Sequence, residues 1–248
     1  MEQSKLSPIT FGIMKAAEKR SIPCSRIVNC DLLQLGYGTQ QQRLRLGETE
    51  KTSAIADGIA RNYRLSKQIL AACGLPVVDG AACDTLDEAL EAYADCGPQA
   101  RVRTRGGLSQ AVASLDELKA AMAPIVAAGD EAIVEQDLKG ETFHLLVVGG
   151  KLVWASAQTA GAVEVGSGLD LSTRVHPSFA RAAALAARAI GLNVAVVEVV
   201  AQSVQQPLSG QSAAVLGINT GAQTFTRVSA APLIERISGA LLDHLFAS

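Results

Sequence analysis

Residues 143–157 place two apolar runs, 143–148 and 152–157, on either side of Gly149-Gly150. Adjacent glycines take the positive φ angles of a tight reversal at no steric cost, so this segment predicts an antiparallel β-hairpin. Two further runs, 195–200 and 213–218, are apolar at nearly every position and have the length of buried strands. A helical pattern over 178–190, stopped by Gly191, precedes them, and a last helix spans 232–245. The C-terminal part of the chain is therefore expected to be an α+β lobe.

Upstream, Ser7-Pro8 opens a helix with Ile9, Ile13, Met14, Ala16 and Ala17 at helical spacing. Short extended pieces are expected at 25–28 and at 42–46, where Leu44 and Leu46 alternate with Arg43 and Arg45. Helices at 52–60 and 65–73 follow, the second closed by Gly74 and Pro76. From Val77 the pattern reads as a strand, a helix over 86–95, an extended stretch over 100–103, a helix opened by Ser114-x-x-Glu117 as a capping box, and a strand over 132–136. Three lobes result: 1–76, a small central lobe 77–138, and 139–248.

Composition narrows the partners. Twenty-two basic and 24 acidic residues leave a net charge of -2, so no general cationic surface is available to displace counterions from nucleic acid. The apolar residues come in short groups, and none approaches the ~20 residues of a membrane span. The sequence over 1–5 shows no basic segment leading into an apolar one, which makes a cytoplasmic protein the expectation. Cys24, Cys30, Cys73, Cys83 and Cys96 form no CxxC pair and have no neighbouring histidine, so reduced thiols are expected rather than zinc ligands or disulfides. No nucleophile elbow, Walker loop or Rossmann glycine motif is present.

Three stretches together resemble one family. Leu33-Gln34-Leu35-Gly36-Tyr37-Gly38, Gln41-Gln42-Arg43, Thr52-Ser53-Ala54-Ile55-Ala56 and Leu65-Ser66-Lys67-Gln68-Ile69-Leu70 occur in order in the first. Ile133-Val134-Glu135, Gly140 and Leu145-Leu146-Val147-Val148-Gly149-Gly150-Lys151-Leu152-Val153 make the second. Val175-His176-Pro177, Gly191-Leu192-Asn193-Val194-Ala195, Pro207-Leu208-Ser209 and Asn219 make the third. This series is similar to the ATP-grasp region of cyanophycin synthetase, of the ATP-dependent carboxylate–amine ligases. The resemblance implies an ATP-grasp-like α/β (α+β) protein of three small lobes with a cleft between the central and C-terminal lobes. It also implies ATP and magnesium as cofactors, with an acyl-phosphate formed from a carboxylate and displaced by an amine.

Carried over residue by residue, the resemblance nominates a nucleotide site. Lys67 matches a family lysine, Glu135, Gln136, Asp137 and Leu138 match the adenine hinge, and Arg103 or Arg105 stands in the segment that should hold phosphate. Thr142 occupies the position of an acidic ribose ligand, and His144 that of an arginine. Glu198 and Asn219 are the metal candidates, but the glutamate of the family's Glu-x-Asn motif is Gly217 here. The segment 100–107 is shorter than the family's phosphate loop and lacks its lysine, and guanidinium does not replace ammonium at a tight phosphate site. The expectation is an ATP-grasp protein with an impaired Mg-ATP site that acts as a binding or partner module. The alternative is a divergent ligase that still forms amides. Partners expected on this reading are another protein, a small carboxylate or amine, or a second copy of the chain.

Overall fold

The computed structural model describes residues 6–27, 31–97, 99–104, 109–158, 170–221, 225, 228 and 230–246. Its strands form three four-stranded sheets in which every neighbouring pair is antiparallel. Helix α1 (Pro8–Lys19) starts as its residues dictate: the Ser7 hydroxyl accepts the Thr10 N–H, and Pro8 occupies the first turn where its missing N–H costs nothing. The first sheet follows in the order β1 (Cys24–Arg26), β2 (Leu32–Leu35), β3 (Gln42–Arg45) and β4 (Glu48–Thr49). Strands as short as β2 and β4 carry too few alternations to stand out in a sequence.

Helices α2 (Ala54–Arg61) and α3 (Tyr63–Ala72) lead to the central sheet. That sheet orders β5 (Gly80–Cys83), β8 (Ala132–Gln136), β6 (Ala100–Thr104) and β7 (Ser109–Val112), backed by α4 (Leu86–Cys96) and α5 (Leu115–Ala128). Two local expectations need correction. Val77 makes only an isolated parallel bridge to Val215, and the strand begins at Gly80. The complete capping box lies at Thr85 and Glu88. At Ser114 the box is half formed, because the Glu117 carboxylate takes the N–H of Ala113.

The third sheet orders β10 (Lys151–Ala157), β9 (Glu141–Val148), β11 (Val194–Ala201) and β12 (Ala214–Asn219). Helices α6 (Pro177–Ile190) and α7 (Ala231–Leu245) complete the fold. One face of this sheet, with Phe143, Leu145, Val147, Ala195 and Val197, packs in one core with α6, with Ala56 of α2 and with Leu70 of α3. The opposite face carries Leu146, Val148, Val194 and Val196 into a second core with α1, α7, Trp154 and the strand residues Leu33, Leu35 and Leu44. The cores therefore cut across chain order: α2 and α3 pack with the C-terminal sheet on one face, and α1 lies with α7 on its other face.

On the second face the strand period leads from these apolar positions to His144 on β9, Glu198 on β11 and Gly217 on β12, paired as cross-strand neighbours. Two connectors tie the central lobe to this sheet. In the first, Val215 N–H donates to Pro76 O at 2.8 Å and Val78 N–H donates to Val215 O at 3.2 Å. In the second, Gly140 lies against the backbone of Ala201.

A Cβ at Gly140 would sit 2.6 Å from Ala201 O and 2.7 Å from Ala201 C, whereas one at Gly217 would meet nothing within 4 Å. Gly140→Ala is expected to destabilise the chain by about 1–3 kcal/mol, since backbone must move. Gly217→Ala should stay within about 0.5 kcal/mol. Urea unfolding of the two variants beside the wild type checks the contrast.

Candidate functional site

Side chains from α3 and β6 converge on the carboxylate of Glu135, which is fully buried at the end of β8. A buried carboxylate survives as an ion only where opposite charge and donors surround it. Tyr63 Oη donates to Glu135 Oε2 at 3.1 Å, and Lys67 Nζ stands 3.9 Å from the same oxygen. Arg103 Nε approaches Glu135 Oε1 at 2.7 Å, as a charge contact whose N–H is not aligned as a hydrogen bond.

Tyr63 and Lys67 come from one face of α3, four residues apart, and the ammonium lies 5.0 Å from the tyrosine ring centroid. The Lys67 amine also donates to Val78 O at 3.1 Å and Val215 O at 3.0 Å. Its burial lowers its pKa to about 8, against the opposing pull of Glu135. Burial likewise raises the Tyr63 phenol well above its ordinary value, reinforced by the neighbouring Glu135 charge. Lys67 is therefore tied to the junction of the lobes by two carbonyls and a carboxylate.

Arg103, on β6, also crosses to the third sheet. Its Nη1 lies 3.4 Å from Glu198 Oε2, and its Nη2 donates to Leu216 O at 3.3 Å. Asn219 Nδ2 lies 3.5 Å from Glu198 Oε1, while the Asn219 amide oxygen accepts the Gly221 N–H at 2.8 Å. Lys67, Arg103, Glu135, Glu198 and Asn219 thus gather in one place. The cations there are held by the protein's own acids and carbonyls.

The remaining nominated residues lie around this cluster. The hinge N–H groups are committed internally: Gln136 to Asp79 O at 2.9 Å, Asp137 to Gln99 O at 3.2 Å and Leu138 to Gln136 O at 3.1 Å. The Asp137 side chain pairs with Arg101 at 2.8 Å. Thr142, half-buried on β9, lies opposite Val200, and His144 lies between Ser156 and Glu198 in the sheet register. Arg105 lies outside the described residues. The sequence reading missed Tyr63 as a partner of Glu135, although its spacing from Lys67 on a helix was visible.

The residues present do not fit a two-magnesium centre. Magnesium asks for near-octahedral oxygen ligands, chiefly carboxylates where the protein supplies them. Glu198 is engaged by Arg103, the Asn219 oxygen is engaged by Gly221, and Gly217 offers no side chain although space for one is open. Among the described residues no three His, Cys, Asp or Glu side chains come together in a metal-binding group.

Comparison with known proteins agrees with this architecture. The chain has the ATP-grasp fold: it superposes over 99% of its length on 45% of a bifunctional glutathione synthetase from Pasteurella multocida, with a TM-score of 0.68 at 16% identity. It also superposes on D-alanine–D-alanine ligase from Bacillus anthracis in complex with ATP, with a TM-score of 0.56 at 18% identity over 79% of this chain and 69% of that one. In sequence it is 33% identical to cyanophycin synthetase of Trichormus variabilis over 171 residues, 66% of this chain and 19% of that protein. The Synechocystis cyanophycin synthetase is 29% identical over 180 residues, 69% of this chain and 20% of the relative. The chain spans about a fifth of the length of these curated relatives. No protein-family profile matches it.

The depressed Lys67 pKa makes stability depend on pH with a definite sign. Between about pH 8 and the ordinary value of 10.5 the unfolded chain holds a proton that the folded chain has released. Stability should therefore rise through this window, with the burial penalty fully present below it, by an amount on the order of 3 kcal/mol. Tyr63, Cys83 and Cys96 have raised pKa values and act in the opposite sense at the alkaline end. The difference between wild type and Lys67→Met isolates the lysine, and urea unfolding from pH 7 to 10 should show a steeper rise in the wild type.

Proposed function

We propose that this chain is an ATP-grasp module whose Mg-ATP site no longer supports ligation and which acts by binding a partner. One observation carries the reading. Arg103 spans Glu135 at 2.7 Å and Glu198 at 3.4 Å, so a cation meant for phosphate and a carboxylate meant for metal neutralise one another. Three more features support it: Lys67 is held by two backbone carbonyls, the hinge N–H groups are bonded within the protein, and Gly217 supplies no carboxylate.

The relatives bear names of ligases, and the whole-protein activity of cyanophycin synthetase resides in a chain about five times as long as the part matched here. A module of this kind acts on a partner protein, on a small carboxylate or amine held without activation, or on a second copy of itself. A cytoplasmic setting is proposed with it.

The expected outcome is weak or undetectable Mg-ATP binding by calorimetry and no phosphate release over a panel of amino acids and aspartate-containing peptides. Gly217→Glu alone should not create ligation, because the new carboxylate would stand beside a Glu198 still paired with Arg103. Turnover by the purified chain on the order of 1 per second or faster would overturn the reading and establish a divergent ATP-dependent carboxylate–amine ligase.

A further inference from the structure

We propose that the Arg103 guanidinium is the resident cation of this site, filling an oxygen-lined position between the lobes and closing it to divalent metal ions. The inference deepens the reading of the cleft as one without a working metal centre. Three oxygens face the guanidinium: Glu135 Oε1 at 2.7 Å, Glu198 Oε2 at 3.4 Å and Leu216 O at 3.3 Å. Two are carboxylate oxygens and one is a carbonyl oxygen, the hard donor set that suits magnesium, manganese or calcium. They come from β8, β11 and β12, so paired strands fix their backbones.

Charge balance explains why a metal is kept out. Lys67 and Arg103 offset Glu135 and Glu198. A divalent ion entering this neutral cluster would bring uncompensated positive charge into a place where Glu135 is fully buried and Lys67 nearly so. Without the guanidinium the cluster carries one excess negative charge, and the three oxygens lose their shared partner. Removing Arg103 should therefore convert an excluded position into a binding one.

The probe is manganese(II) chloride without nucleotide. Free Mn2+ is followed by electron paramagnetic resonance and thermal melting by circular dichroism, in the wild type, Arg103→Ala, Arg103→Lys, Glu198→Gln and the double variant Arg103→Ala/Glu198→Gln. Wild type and Arg103→Lys should take up no Mn2+ at this site. Arg103→Ala should bind it with a dissociation constant on the order of 10⁻⁴–10⁻³ M, at least tenfold tighter than the double variant, and should melt at a higher temperature in its presence.

An Arg103→Ala chain unfolded without metal should gain structure in millimolar Mn2+. One that stays unfolded there, or that folds and binds no Mn2+, overturns the proposal. So does Mn2+ uptake by the wild type that Glu198→Gln abolishes. Failure of the functional reading appears elsewhere, as ATP turnover by the wild type.

Discussion

A carboxylate with no solvent exposure organises this molecule. Left alone, the charge of Glu135 would cost several kcal/mol of desolvation, and removing one partner from a buried pair typically costs about 3–5 kcal/mol. The protein meets that demand with groups from separate elements: Tyr63 and Lys67 from α3 and Arg103 from β6. Because Lys67 also holds carbonyls of Val78 and Val215, and Arg103 reaches Glu198 and Leu216, satisfying one charge docks the central lobe on the third sheet. The electrostatics and the arrangement of the lobes are one constraint.

The packing allows this because the cores ignore chain order. Helices α2 and α3 rest on the C-terminal sheet, which brings Tyr63 and Lys67 beneath the connector at Val78. The first and last helices lie together across the opposite face, with Lys19–Glu235 and Arg20–Asp243 pairs at 2.8 and 2.7 Å along their exposed edges. Exposed pairs of this kind contribute little. The apolar contacts of Ile9, Ile13, Ile237 and Leu241 do more to hold the two helices together. On the second face, along the strands from the residues that α1 and α7 cover, lies the cross-strand row of His144, Glu198 and Gly217.

The backbone elements, connectors and apolar faces of an ATP-grasp protein are present, while the polar side chains at the lobe junction bond chiefly to one another. At Gly217 the space that a side chain would fill is open. The fold rests on burial of its apolar faces and the site on its polar groups, so the two depend on different atoms.

By itself the sequence determined the elements with strong local signals. The glycine-pair hairpin, the apolar strands β11 and β12, the proline-led α1 and the glycine-stopped α6 were legible because their turn chemistry and periodicity lie within a few residues. The ordered strings that resemble cyanophycin synthetase nominated the candidate residues one by one, Gly217 among the positions compared. Tertiary structure alone decided what those residues face. Arg103 read as a phosphate ligand lies against Glu135 and Glu198, 32 and 95 positions away along the chain. Ion pairing between distant strands leaves no periodicity to read, because it depends on how the sheets are brought together and on which buried charge must be answered.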